Sequence, residues 1–269
     1  MKKITLGFYG FGKLAQTLYH GFSEYLISNN FTTLVHTRTQ PTESFSNINF
    51  VSSEILLNQS DIVILGVKPQ QLNDIMPILS TFDWNKTCLV SLLAGVPISS
   101  FTSQLTNLNH AFRVMPNTSA HVQQSMTTYA YLESTDPLFD VVLNDLFSIV
   151  GSFLNISESQ LDFCTALCGS GPAFFLYLFQ SLSELATHEG FSNEDARLMI
   201  NQLIKGIAES IITRPESFDH LINEICSPNG TTEAGLKKCT ELQLAAQWQS
   251  VVNSAKDRSI ELSQLFKSS

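Results

Sequence analysis

The sequence predicts an α/β protein: a doubly wound, mostly parallel sheet in the first half and an all-helical second half. Three observations predict it. A short apolar strand (Ile4, Leu6, Phe8) runs into Gly10-x-Gly12-x-x-Ala15, and an amphipathic helix follows through Leu18, Phe22 and Leu26. Strand-like and helix-like segments then alternate to about residue 157, as parallel sheets with crossover helices require. Beyond that point the strand signals vanish and the apolar residues recur at helical spacing.

Taken in order, Gly10 permits a tight turn, Gly12 lets backbone amides approach a diphosphate, and Ala15 lets helix and strand pack closely. The turn ends at a helix N-terminus, where unpaired N–H groups and the helix dipole favour an anion. This is the dinucleotide fingerprint, and it assigns Gly10, Phe11, Gly12, Lys13 and Leu14 to a cofactor, although an isolated glycine-rich turn can be an ordinary one. Residues 31–36 form a second strand and 49–52 a shorter third. Asp61–Val67 and Thr87–Leu93 are apolar without alternation, the pattern of strands covered on both faces. Residues 109–115 give another strand, while 70–79 and 98–105 fit short helices. Tyr129–Leu132 and Ser152–Ile156 are expected as edge strands around a helix near 138–149.

A new helix is expected at Ser157-Glu158. The run Phe174–Phe179, continued by Leu182, Leu185 and Ala186, is apolar on all sides and is expected to be buried all round. Ala196, Met199, Leu203, Ile207 and Ile211 form a stripe that stops before Pro215, and Leu244, Trp248, Val251, Ala255, Leu262 and Phe266 form another. The pattern change places a dinucleotide-binding domain at 1–157 and a helical domain at 158–269.

Composition narrows the partners. The 269 residues carry a formal charge of −9, against nucleic acid as main partner, since phosphate neutralisation needs clustered Lys and Arg. Charged residues make up 14% and hydrophobic ones 43%, which leaves little charge for the surface of a monomer and points to coverage by another subunit. No run reaches the ~20 apolar residues of a membrane span, and Gly10, Gly12 and Lys13 interrupt the apolar run behind Lys2 and Lys3 where a signal peptide would continue. A soluble, cytoplasmic chain with no membrane partner is expected. The five cysteines lack zinc-type spacing and the six histidines are scattered, so no metal site is expected.

The remaining candidates lie on loops. At the end of the second strand, where an acid would select NAD, stand Thr37 and Arg38, a guanidinium able to pair with the 2′-phosphate of NADP; a solvated arginine would look the same. Val67, Lys68 and Pro69 end a buried strand on the side that lines the crevice, as in any βα turn. Asn117, with Thr118, follows the next strand and offers neutral hydrogen bonds to a carboxamide, or forms a simple turn. The segment Ser227-Pro-Asn-Gly230-Thr231-Thr232 opens a helix, and its amides and hydroxyls suit a small carboxylate; helix capping explains the same residues. Two glycines at 169 and 171 interrupt an apolar helical region. No general acid–base residue stands out.

The set Gly7-x-x-Gly10-x-Gly12-x-x-Ala15, Val67-Lys68-Pro69-Gln70, Arg113-x-Met115-Pro116-Asn117-Thr118, Thr165-Ala166-Leu167-x-Gly169-Ser170-Gly171-Pro172-Ala173 and Ser227-Pro228-x-Gly230-Thr231-Thr232-x-Ala234-Gly235-Leu236 resembles pyrroline-5-carboxylate reductase, in order over essentially the whole chain. The resemblance implies a Rossmann domain followed by a helical domain that dimerises by intertwining, often within larger rings. It implies NAD(P)H-dependent reduction of Δ1-pyrroline-5-carboxylate to L-proline, the last step of proline biosynthesis. Ser227, Gly230, Thr231 and Thr232 would hold the substrate carboxylate, with the Thr232 hydroxyl facing the ring nitrogen. Departures from the family's pattern are Cys168, Asn229, Ser119, Gln123, Ser125 and Glu233. A reductase of the same architecture with another small carboxylate substrate, or a weak NADP-binding relative, is the alternative.

Overall fold

A computed structural model describes residues 3–264, so Lys2 and Phe266 lie outside the described residues. The described residues form two compact units, 3–170 with 253–264, and 171–252.

The first unit is built on one eight-stranded sheet. Its elements are β1 (Thr5–Tyr9), α1 (Lys13–Ser28), β2 (Thr32–His36), β3 (Ile48–Phe50), α2 (Ser53–Gln59), β4 (Ile62–Leu65), α3 (Leu72–Leu79), β5 (Cys88–Ser91), α4 (Ile98–Thr102), β6 (His110–Met115), β7 (Ser125–Tyr131), α5 (Pro137–Ile149) and β8 (Gly151–Asn155). The strand order is β3-β2-β1-β4-β5-β6-β7-β8. The first six strands pair in parallel; β7 runs antiparallel to β6, and β8 is parallel to β7. Order reverses at β1, so the crevice beyond the carboxyl ends of β1 and β4 is the switch point where such folds bind ligands.

Side-chain alternation splits the core into two layers. Leu6, Phe8, Ile62, Ile64 and Phe112 point to the face covered by Phe22 of α1 and Phe147 of α5. Val63, Leu65 and Leu89 point to the other, with Leu72, Trp84 and Phe101. Both layers are fully buried, which is why β4 and β5 read as unbroken apolar runs.

One expectation about this region needs correction. Residues 129–132 are not an edge strand: residues 129–131 end β7, which lies inside the sheet between β6 and β8, and Leu132 follows it. The start of β7 is polar, yet Ser125, Thr127 and Thr128 are buried, and the hydroxyls of Ser125 and Thr127 lie 3.0 Å apart.

Helical structure resumes where Ser157 caps a 3₁₀ turn (Glu158–Gln160) with a capping box to Gln160. There follow α6 (Leu161–Cys164) and a π-helical turn (Thr165–Gly169), closed by the Ser170 N–H donating to the Thr165 carbonyl at 2.9 Å. The glycine-flanked interruption read from the sequence is this wide turn. The second unit contains α7 (Gly171–His188), α8 (Asn193–Thr213), α9 (Phe218–Ile225), α10 (Thr231–Glu241) and the first part of α11 (Leu244–Gln264), whose last residues belong to the first unit.

Helix α7 is not buried all round. Phe175, Leu176 and Tyr177 are 56%, 66% and 75% exposed in the single chain. Apolar composition requires a cover but does not say that the same chain supplies it. Nor does the absence of a long apolar run hold: the helical stretch Glu158–His188 is long and apolar enough to cross a membrane by length and composition alone. Core helices of soluble proteins pass the same test.

Candidate active site

The phosphate turn sits where β1 hands over to α1. Gly10 has φ +92°, and a Cβ there would lie 2.8 Å from the Val67 backbone nitrogen, so no other residue fits without strain. Its N–H donates to the His36 carbonyl at 2.8 Å, tying the turn to the end of β2. A Cβ on Gly12 would meet nothing within 4 Å, which leaves its face open. Gly12 is the N-cap of α1 and brings no side chain to the first-turn N–H groups, and that turn contains no acid.

These residues line a groove of about 680 Å³ within the first unit. It brings together Gly10, Phe11, Gly12, Lys13, Thr37, Arg38, Val67 and Lys68 of the sequence-predicted set. Leu14 instead packs against the core layer under α1, and Pro69 opens a 3₁₀ turn (Pro69–Gln71) beside the groove, where the Lys68 N–H donates to the Gln71 side-chain oxygen at 3.1 Å. Among the described residues nothing pairs with the Arg38 guanidinium, which is exposed at the groove wall. An open glycine face, uncapped amides and a free cation fit a dinucleotide phosphate.

Asn117 lies elsewhere in the same unit, and its side chain is committed. It is 8% exposed, its amide donates to the Cys168 carbonyl at 2.9 Å, and its oxygen accepts from the Ser119 N–H at 2.9 Å. It joins the loop after β6 to the π-helical turn. Burial pushes the thiols of Cys164 and Cys168 up, which makes both poor nucleophiles.

Sequence reading did not single out the far wall of the groove, formed by Gln40–Glu43 and by Asp74, Ile75 and Ile78. The Ile75–Ile78 spacing on a short helix was the available signal. Arg113 appeared only as part of a motif. In the structure it is a buried cation on β6 that donates to Asp162 at 2.7 Å, and Asp162 also accepts from Ser259 at 2.9 Å.

In the second unit, Gly230 is the N-cap of α10. A Cβ on it would strike the Ser227 side-chain oxygen at 2.4 Å, and its N–H donates to the Ser227 carbonyl at 3.0 Å. Thr231 and Thr232 therefore occupy the first two helical positions and do not cap. Among the described residues the hydroxyls of Ser227, Thr231 and Thr232 have no hydrogen-bond partner, so helix capping does not account for them. The acid Glu233 accepts instead from the Asn229 N–H at 2.6 Å, and Asn229 holds a left-handed φ of 55°.

Residues 158–262 match the family described as pyrroline-5-carboxylate reductase dimerisation, and residues 5–95 match the family described as NADP oxidoreductase, coenzyme F420-dependent. A pyrroline-5-carboxylate reductase of Staphylococcus aureus (strain COL) is 33% identical over 268 residues, 97% of this chain and 99% of the relative. The chain belongs to the pyrroline-5-carboxylate reductase family. A second member, from Staphylococcus epidermidis, is 31% identical with similar coverage. Among solved structures, the Plasmodium falciparum pyrroline carboxylate reductase with NADP bound superposes with a TM-score of 0.87 at 25% identity, covering 98% of this chain and 99% of that one. The Streptococcus pyogenes 1-pyrroline-5-carboxylate reductase gives 0.85 at 25%, covering 97% and 100%.

Proposed function

We propose that residues 1–157 bind NADPH in preference to NADH and that residues 158–269 bind substrate and pair with a second copy. The chain reduces Δ1-pyrroline-5-carboxylate to L-proline. Helices α2, α5, α8 and α9 start with side chains that accept an N–H bond, and α3, α4 and α6 start without one, but among the described N-caps only those of α1 and α10 are glycine, with no side chain over the first-turn amides. That contrast carries the reading, because it leaves amides for two anions, a diphosphate and a small carboxylate.

The nicotinamide, when bound, supplies the hydride that reduces the imine carbon. Gly10, Phe11, Gly12, Lys13 and Leu14 form the turn that holds its diphosphate, and Thr37 and Arg38 take the 2′-phosphate. Val67 and Lys68 line the groove further on, Pro69 opens the turn beside it, and Asn117 fixes the loop after β6. At the other anion site Gly230 shapes the turn, its own N–H being given to the Ser227 carbonyl; the amides of Thr231 and Thr232 with the Ser227 hydroxyl bind the carboxylate, and the Thr232 hydroxyl faces the ring nitrogen. A protonated imine is already electrophilic, so the protein's task is placement, which supplies roughly 7–11 kcal/mol in well-oriented systems. No side chain has to ionise.

The second unit's exposed apolar groove between α8 and α9, about 940 Å³ and lined by Leu203, Ile207, Ile211, Phe218, Ile222 and Ile225, is covered by a partner copy. A homodimer, or a ring built from it, is the assembly that such a cover implies, in a protein we take to be soluble and cytoplasmic.

The test is steady-state kinetics with pyrroline-5-carboxylate and both nicotinamides. Thr232→Ala lowers kcat about 10- to 100-fold, in the range of a lost hydrogen bond to a charged group, with NADPH affinity unchanged. Arg38→Ala narrows the NADPH preference. An unchanged rate in the first variant, or equal losses with both cofactors in the second, removes the corresponding role. Turnover of a hydroxyacid in place of the cyclic imine would favour the alternative substrate.

A further inference from the structure

Residues 37–47, between β2 and β3, form a strap without regular structure. Its first part, Thr37 to Glu43, is one wall of the groove. From 38 to 47 every residue is exposed except Pro41 and Phe45.

Phe45 turns inward. Its ring meets Phe11 at 5.0 Å, Tyr19 at 5.8 Å and His20 at 4.9 Å between centroids. Phe11 is the residue between the two glycines of the phosphate turn and is itself 3% exposed. Two polar ties accompany this contact: the Tyr19 hydroxyl donates to the Ser46 carbonyl, and His20 approaches Glu43 at 3.5 Å. The second joins two exposed side chains and adds little. Phe45 is thus the one large apolar anchor of a segment that otherwise faces water.

We propose that Phe45 is a positioning residue that clasps the strap to α1 and so presents Arg38 at the groove wall, making discrimination between NADPH and NADH depend on a side chain that touches neither. The inference rests on the reading of Arg38 as the 2′-phosphate partner. A loop free to wander must lose conformational entropy on binding, and pre-ordering it removes that cost from the affinity. The benefit falls on the nucleotide whose extra phosphate meets the strap. The diphosphate turn does not need Phe45: Phe11 still packs against Phe8 at 5.6 Å and Tyr19 at 6.1 Å, and the Gly10–His36 backbone bond is untouched.

Direct binding of NADPH and of NADH to the full-length protein, by calorimetry without substrate, tests the clasp. Phe45→Ala weakens NADPH about tenfold and NADH less than about threefold, while Phe45→Leu, which keeps apolar bulk, recovers most of the loss. In an Arg38→Ala background the Phe45→Ala change has no further effect on NADPH, because the two act through one contact. Equal losses with both nucleotides, unaltered NADPH binding, or losses that add in the double variant overturn the clasp. Should Phe45→Ala not fold, Phe45→Leu alone must still weaken NADPH more than NADH, and an unchanged ratio overturns the clasp. If Arg38→Ala by itself leaves the NADPH-to-NADH ratio intact, the 2′-phosphate reading fails; if that ratio collapses while Phe45→Ala leaves it intact, only the clasp fails.

Discussion

Within the sheet unit, Trp84, Phe8, Phe22, Phe101, Phe112 and Phe147 are fully buried, and both faces of the sheet carry a filled apolar layer. From Gly171 to Val252, by contrast, only Gly171 and Ala196 are buried, while Leu198, Ile212, Phe218 and Ile225 are 65%, 77%, 67% and 71% exposed. The two regions have similar apolar content along much of their length but spend it differently. A sheet covered by helices closes its own core. A few helices whose apolar stripes face outward do not, and the hydrophobic effect then rewards a second chain that covers them. On the proposed pairing, stability of the first unit is expected to be a property of one molecule and that of the second to depend on protein concentration.

The strongest way to break this contrast is to place a charge in the groove between α8 and α9. Ile207→Lys is expected to weaken self-association at least about 100-fold, because the cation is desolvated without a partner. Sedimentation velocity across a concentration series reads the shift, and hydrogen exchange of α7 to α9 rises while that of β1, β4 and β5 does not. A dimer that survives the substitution removes the groove from the interface.

Next in size is the core itself. Trp84 is fully buried and its indole N–H donates to the Leu79 carbonyl at 2.9 Å, so Trp84→Ala is expected to cost about 3–5 kcal/mol in urea unfolding. The loss is the same at every protein concentration; a concentration-dependent loss would mean that the sheet unit, too, leans on a partner.

The smallest effect sharpens the comparison. Gln123 in the first unit and Gln243 in the second have left-handed φ of 58° and 53°. Replacing each by glycine relieves about 1 kcal/mol of steric cost. The gain from Gln123→Gly appears at any concentration, whereas that from Gln243→Gly is read in a melting temperature that itself rises with concentration.

Much of this organisation was legible in the residues. β4 and β5 announced themselves because a strand buried on both faces has no room for alternation, and the phosphate turn did so because Gly10 answers a backbone demand no other side chain meets. At the α10 loop the residues were legible but their role was ambiguous until the cap was seen to be Gly230, which leaves three hydroxyls unengaged. The start of β7 was hidden because Ser125, Thr127 and Thr128 look like a loop, and nothing local says that their hydroxyls are buried. Phe45 was equally silent: a lone aromatic in a polar stretch gives no hint of the ring it meets at Phe11. Helix α7 was misread because apolar surface demands a cover without naming which chain provides it.

What the sequence determined by itself was local: the period of each segment, the glycine turn, the Ser157 cap and the order of elements, each set by residues within a few positions of one another. Tertiary structure alone decided that β7 lies inside the sheet, that Arg113 is buried against Asp162 and that the Asn117 carboxamide bonds to Cys168 and Ser119. It also decided that the strap is held down at Phe45. Those outcomes join residues distant along the chain, and whether a polar group or a ring finds its partner there depends on the packing of the whole.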